Sequence, residues 1–435
     1  MIMPPTANPT PGNRRFPSGP AEPYRAGDDL LDWLGRHFAD FGDTYKASIF
    51  GGDAYVTRSP VDAHHVLVGN ASNYVKGRLI KRIALLLGNG LMTSEGKFWR
   101  RQRRMIQPAF HRNVLVALTP AMASASLQLC ERWQTAADEG ATINLRRDIG
   151  DAVLTSVLQA VFGDDCKRVA PHFAVLSKDA ARSMAFAQMF RALGDMVLQI
   201  VQERRAAVSS GKDMLGVMIA ARDRGSGAAM SERQILNEVM TLVVAGHETT
   251  AATLCWTWHA LAQHPDVELR LWQEVDALLG AAILAVEDLV KFQYARQVLD
   301  EVLRLYPPGW LVTRRALNDD RLSEYFVPAG TEIYLPIFFI QRHPQLWPDP
   351  ERFHPDRFAG GDGGRRPLAL LPFSAGPRNC IGEHFARQQM LIHLLVIARH
   401  LRLRLIAPQT IAFDTGVHLR SRDDFLMAPE RRVTQ

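Results

Sequence analysis

Cysteine is scarce in this chain: four in 435 residues, at Cys130, Cys166, Cys255 and Cys380. None forms a Cys-x-x-Cys pair, and so few thiols in so long a chain exclude a disulfide scaffold and a cysteine-paired zinc site. The 14 histidines are scattered without zinc-type spacing. No apolar run reaches the ~18 residues of a membrane-spanning helix, so no membrane span is expected. Charge of one sign is also lacking. The formal net charge of +6 is mild, and without a basic low-complexity tail it gives no ground for a nucleic-acid partner. The start of the chain has no signal-type apolar segment.

What is present is an ordinary apolar fraction of 47%, enough for a large core. Residues 1–22 are rich in proline and small residues and are expected to form an extended or flexible arm. Residues 23–435 then read as one domain. Helical spacing covers 28–41, strands are expected at 44–50 and 53–57 around Gly51-Gly52, and 60–68 is helical again. The glycine-punctuated stretch 73–93 reads as a mobile loop with a short helix. From 115 to 206 the pattern is almost wholly helical, with breaks at Gly140, Gly163 and Pro171; the Met and Phe residues of 184–190 read as core. Strands are expected at 309–312 and 331–336, and a hairpin near Thr415-Gly416.

Four stretches carry chemistry. Phe373-Ser-Ala-Gly376-Pro-Arg378-Asn-Cys380-Ile-Gly382 sets one cysteine in a tight turn before a helical pattern. Backbone N–H groups there favour thiolate, which is a nucleophile or a metal ligand, and Arg378 is placed to hold an anion beside it. In Trp99-x-x-x-Arg103 an indole and a guanidinium share a helical face and both suit a carboxylate. Arg100, Arg101 and Arg104 fall on other faces, as a basic patch for an acidic partner or as plain surface. Ser231-x-x-Gln234 is a capping box after Met230, and the apolar run it opens lasts to His264, before Pro265. In the middle of this helix of roughly thirty residues stands Ala245-Gly246-His247-Glu248-Thr249-Thr250, a poor set for a buried helix interior. A threonine there loosens the helix by bonding back one turn, and a carboxylate beside it passes protons. Finally Glu301-x-x-Arg304 lies ahead of Phe353-x-Pro-x-Arg357-Phe358.

Together and in this order the four stretches resemble the cytochrome P-450 monooxygenases, from about residue 25 to the end of the chain. The resemblance implies a mostly α fold with small β sheets (α+β), with haem b between the long helix and the cysteine loop. It makes Cys380 the axial ligand of haem iron, with Phe373, Gly376, Arg378 and Gly382 around it. Trp99 and Arg103 hold propionates, together with Arg315, for which Arg314 is a rival that spacing does not settle. Ala245 and Gly246 leave room for dioxygen, and Glu248 and Thr249 deliver protons. His247 falls off that face and takes a supporting place beside the pocket. Glu301, Arg304 and Arg357 brace the loop. Gln341, where many relatives have histidine, is a departure bearing on the propionates.

The implied activity is insertion of one oxygen atom into a lipophilic terpenoid, steroid, fatty acid or polyketide-like molecule. Candidate pocket residues are Leu85, Leu91, Val243, Val244, Trp310, Leu311, Val312 and Val417. With no flavin or nicotinamide domain in the sequence, electrons are expected from a ferredoxin or flavodoxin with its NAD(P)H-dependent reductase. A cytoplasmic, bacterial-type monomer is expected. A peroxide-using haem-thiolate enzyme and a non-catalytic haem protein are the alternatives.

Overall fold

The chain builds its longest helix, Glu232–Gln263, where the capping box lies. Ser231 Oγ accepts from the Gln234 amide (3.2 Å), and the Gln234 side chain accepts from the Ser231 amide (2.8 Å), so two orphan donors of the first turn are satisfied. Met230 is buried as the residue before the cap. The helix is apolar on several faces and is packed on several sides. The helices Leu145–Phe162, Gln293–Leu305 and Glu383–His400 all touch it. This is the centre of the largest core cluster. The computed structural model describes residues 14–173, 184–207, 213–279, 286–360, 369–407 and 412–432. The side chains of 184–190, expected to be core, lie outside the described residues.

A second helix, Arg112–Asp138, is apolar and long enough by composition to cross a membrane. One face of it, with Leu115, Leu118, Met122, Leu129 and Trp133, is buried against the Leu145–Phe162 and Glu383–His400 helices, so it is a core helix. Pro171, expected to break a helix, lies inside Cys166–Phe173.

The β structure lies in small sheets. Five strands run in the order Thr44–Ile49, Gly52–Thr57, Glu332–Leu335, Val312–Ala316, Tyr74–Lys76. The first two form the expected hairpin. The fourth begins at Val312 rather than at 309, because Trp310 is drawn into a separate core with Trp33, Phe38, Tyr45 and Phe338. The N-terminal arm is bound from Arg14 on. Arg14–Arg15 pairs with Tyr325–Phe326, and the Phe16 ring stacks 3.9 Å from Tyr55. Stretch 73–93 is more ordered than expected: it gives a sheet strand and the helix Ile80–Leu87, and its end is fastened to the central helix.

Candidate active site

The cysteine loop is held by its backbone. Cys380 N–H donates to the Phe373 carbonyl (2.9 Å), closing the turn. Gly376 has φ of 71°, and a Cβ there would run into the Leu67 carbonyl oxygen, so only glycine fits. Ser374 also takes a positive φ, of 60°, and its buried Oγ has no partner. Cys380 keeps accessible surface. Beside it opens a cleft of about 390 Å³ lined by Arg103, Phe110, His111, Arg112, Glu383 and His384, among others. In the protein alone, burial pushes the Cys380 thiol up, while the Gly382 N–H and Arg103 pull it down. The turn by itself therefore does not make the thiolate; a bound metal cation would.

Next to this loop the charges are unbalanced. Arg378 donates to Glu95 (2.6 Å) and to the Tyr74 carbonyl (3.0 Å), and its guanidinium lies 5.0 Å from the Trp99 ring centre. Lys76 donates to the carbonyls of Leu91 and Ser94, and burial lowers its pKa to about 8. Arg314 is 8% exposed, yet among the described residues its one side-chain hydrogen bond is to the Thr313 carbonyl (2.9 Å); burial, then Arg378, lower its pKa to about 10. Three cations thus feel one another, with Glu95 the only carboxylate ion-paired among them in the described residues. A buried guanidinium has five donors and a high desolvation cost when they are unmet. Among the described residues the Trp99 indole N–H also has no acceptor. The cluster suits a ligand bearing two carboxylates.

Strand alternation decides between the two arginines. Arg315 points to solvent and Arg314 inward, since neighbours on a strand face opposite sides. The arginine lying opposite Lys76 on the buried side is therefore Arg314. Arg103 has partners already: it donates to Asn379 O (2.7 Å) and Oδ1 (2.9 Å), beside Cys380.

On the central helix the buried residues Val243, His247, Thr250 and Ala251 alternate with a strip that keeps accessible surface: Val244, Ala245, Glu248 and Thr249. Buried turns flank this strip. Thr249 Oγ1 donates to the Ala245 carbonyl one turn back (2.7 Å), the loosening contact expected of a mid-helix threonine. Among the described residues no hydrogen bond or ion pair holds the Glu248 carboxylate. Gly246 serves packing: its missing Cβ would lie 3.5 Å from Val157, so it lets the Leu145–Phe162 helix come close. His247 Nε2 lies 3.1 Å from the Gly150 carbonyl on that helix, so its ring links the two helices.

The brace is buried. Arg304 meets Glu301 through two bonds (2.7 and 2.9 Å) and donates to the carbonyls of Gln341, Pro350 and Arg352. Arg357 Nε and the His354 amide share Glu301 Oε1. Gln341 belongs here, not with the cations. Its Nε2 donates to the carbonyls of Leu303 and Arg304, and its Oε1 accepts from the Leu371 amide (2.7 Å), two residues before Phe373.

The family model "Cytochrome P450" matches residues 25–180 and 172–423. This chain is a cytochrome P450. Its relatives include cyclooctat-9-en-7-ol 5-monooxygenase of Streptomyces melanosporofaciens, 31% identical, with 85% of this chain and 84% of that one covered. Pentalenene oxygenase of Streptomyces avermitilis is 29% identical, covering 83% and 84%. Among solved structures, the cytochrome P450DA heme domain superposes with a TM-score of 0.87 at 25% identity, covering 97% of both chains. The protein is a monooxygenase of this family, and its fold is the expected mostly α one with small sheets.

Several pocket expectations for this P450 are corrected by packing. Leu85 is 91% and Val417 62% exposed, both turned outward. Trp310 belongs to the second core, and Val243 and Leu91 are buried in the helical one. Val244, Leu311 and Val312 remain half-buried.

Sequence reasoning passed over Glu238, a lone carboxylate on the buried face of the central helix. It accepts from the Leu91 amide (2.8 Å) and from Gln102 Nε2 (3.0 Å), and so ties the end of stretch 73–93 to the central helix and to the Trp99 helix. A carboxylate between Leu236 and Met240 was the available signal. Burial pushes its pKa up to about 7. A raised folded-state value means that the fold binds the proton more tightly than the unfolded chain does. The contribution is full below about 4.5 and is lost as pH rises to about 7, a change of about 3 kcal/mol at most. Glu238→Gln is expected to flatten this fall, as read from denaturation midpoints across that range. An unchanged slope would remove Glu238 as its source.

Proposed function

We propose that this P450 inserts one oxygen atom from dioxygen into a lipophilic small molecule, using haem b held between the central helix and the Cys380 loop. The observation that carries the reading is the Ala245–Thr249 turn, loosened by the Thr249 hydroxyl and leaving Glu248 unpaired, on a helix that packs against the one leaving the Cys380 loop. Haem would be held through the Cys380 thiolate and would supply the redox iron chemistry of oxygen activation. The rest falls to the chain. Arg314, Arg378 and Lys76 would neutralise the propionates, and the Trp99 indole N–H would donate to one of them. Arg103 holds Asn379 and so steadies the loop at Cys380, which Phe373, Gly376 and Gly382 shape. Ala245 presents a small side chain to the reacting space. Glu248 takes up and releases protons at its carboxylate, and Thr249 Oγ orients what receives them. Val244, Leu311 and Val312 exclude water and pack on the substrate. Glu301, Arg304 and Arg357 brace the loop.

Apolar lining favours a lipophile. The names of the two Streptomyces relatives denote an alkene and an unsaturated alcohol, which supports a lipophilic, largely hydrocarbon substrate such as a terpenoid, steroid, fatty acid or polyketide-like molecule. Electrons come from a ferredoxin or flavodoxin with its reductase, docking where Arg103, His111, Arg112 and His384 line the cleft beside Cys380. Arg101 and Arg104 contribute less to such a patch, since Asp223 lies 3.7 Å from each. The enzyme acts as a single domain over 23–435, as a monomer in the cytoplasm.

The test is Thr249→Ala, reconstituted with ferredoxin, reductase and a terpenoid panel. Reductant consumption should continue while product per electron pair falls by roughly ten- to a hundredfold, the scale of a lost proton-handling group. Normal coupling would remove Thr249 from the mechanism. Turnover of the parent enzyme with peroxide, and none with dioxygen and redox partners, would favour the peroxide-using alternative.

A further inference from the structure

The helix that leaves the cysteine loop, Glu383–His400, carries a half-buried arginine, Arg387. It donates to Glu383 one turn back (3.0 Å) and to Asp300 on the Gln293–Leu305 helix (2.5 Å). Its guanidinium carbon also lies 4.9 Å from the Phe373 ring centre, within reach of a cation–π contact. One side chain therefore joins three supports of Cys380. These are the first residue of the outgoing helix, the helix of the Glu301–Arg304 brace, and the residue whose carbonyl accepts from the Cys380 amide (2.9 Å).

Stability does not account for this arrangement. The Arg387 and Glu383 side chains are 33% and 31% exposed, and a pair so open to water contributes little to folding. Its place in the site does. Glu383 lines the same cleft as Cys380. After burial, Glu383 is the group that pushes the Cys380 thiol up, and Arg103 acts the other way. Arg103 is tied to Asn379 by two bonds. Arg387 is the cation bonded to the carboxylate that acts on the sulfur. Arg296 feels both Asp300 and Arg387, but its guanidinium is turned to the Leu289 carbonyl.

We propose that Arg387 tunes electron donation by the Cys380 thiolate, by neutralising Glu383 beside it and holding the Phe373 ring, a reading that rests on Cys380 as the iron ligand. It is a positioning residue: it acts through Glu383 and Phe373 and touches no reacting atom. Reduction of ferric to ferrous iron adds one electron from an external donor and forms or breaks no bond. A negative charge nearby opposes that electron, more strongly where protein replaces water. With Arg387 in place the Glu383 charge is balanced and reduction is favoured. Without it an uncompensated carboxylate stands beside the thiolate, the sulfur donates more strongly, and the iron is harder to reduce.

The experiment uses the haem-loaded protein and the variants Arg387→Gln, Arg387→Lys and Glu383→Gln. The first readout is the midpoint potential of the one-electron iron couple, titrated without substrate. Arg387→Gln should make reduction at least about tenfold less favourable, a midpoint lower by about 59 mV or more. Glu383→Gln should move it the other way by at least threefold. Arg387→Lys keeps the charge and loses the planar fork, and should stay within threefold of the parent. The second readout is the stretching frequency of carbon monoxide on the reduced iron. It should fall in Arg387→Gln and rise in Glu383→Gln, as donation from the thiolate strengthens and weakens. An unchanged potential with a lowered denaturation midpoint in Arg387→Gln would make the arginine a structural brace and overturn the proposal. Shifts of the same sign in Arg387→Gln and Glu383→Gln would overturn it too, because opposite charges cannot produce them. Should Arg387→Gln fail to hold haem, Glu383→Gln decides: a raised potential supports the proposal and an unmoved one overturns it. If the parent itself lacks the carbon monoxide band of a thiolate-ligated haem, the ligand reading of Cys380 falls first, whatever the variants do.

Discussion

Cys380→Ser is expected to abolish the carbon monoxide band of a thiolate-ligated haem, and oxygenation with it. The substitution changes one atom and spares the loop. The bond from the residue 380 amide to the Phe373 carbonyl is backbone, and Gly376 and Gly382 keep their conformations. What is lost is the ligand. A serine hydroxyl does not ionise as a thiol does, and electron donation from thiolate is what favours O–O cleavage. No other thiol can take its place. Cys130 and Cys255 are buried in the helical core, where burial pushes each up to about 12, and Cys166 is buried and raised as well. The reduced, carbon monoxide-bound spectrum is the measurement, with circular dichroism to show that the helices persist. A retained thiolate band would end the assignment of Cys380.

Arg304→Ala is expected to have the largest effect on stability, about 3–5 kcal/mol, the range for breaking a buried charge pair by removing one partner. Arg304 and Glu301 are both fully buried. Without the guanidinium, Glu301 keeps Arg357 and the His354 amide, and the Arg352 carbonyl keeps Arg357 Nη2, but the carbonyls of Gln341 and Pro350 lose this donor. Gln341 then loosens its hold on Leu371, and the damage passes to the segment entering Phe373. Haem retention should fall along with the denaturation midpoint. Arg304→Lys should not rescue it, because one ammonium cannot reproduce a planar fork that serves a bidentate carboxylate and three carbonyls. A variant that is stable to within 1 kcal/mol of the parent and retains haem would show that the network does not carry the loop.

The motifs were legible because each is a local pattern with a chemical reason. Cys380 in its glycine turn, the capping box at Ser231, and the pairing of Glu301 with Arg304 can be read from spacing along a single element. Gln341 was read as a propionate matter for lack of a partner in view. Its partners, Leu303, Arg304 and Leu371, lie some thirty to forty residues away along the chain. Leu85 and Val417 looked like pocket lining because they are apolar and sit in the right stretches, but an apolar residue on a helix or turn faces inward only if its neighbours turn it so. The choice between Arg314 and Arg315 needed the strand's register against Glu332–Leu335.

What the amino-acid sequence determined by itself was the reaction class and its central groups: one cysteine placed to bind a metal, an acid and an alcohol in a helix that should not tolerate them, and a buried ion pair announced by its spacing. Each depends on contacts within a few residues, where chain geometry is nearly invariant. Tertiary structure decided which arginine turns to the cations, that Gly246 serves helix packing, and that Glu238 pins the loop at Leu91. Those depend on which element lies against which, and that is set by the burial of whole faces rather than by any one stretch of sequence.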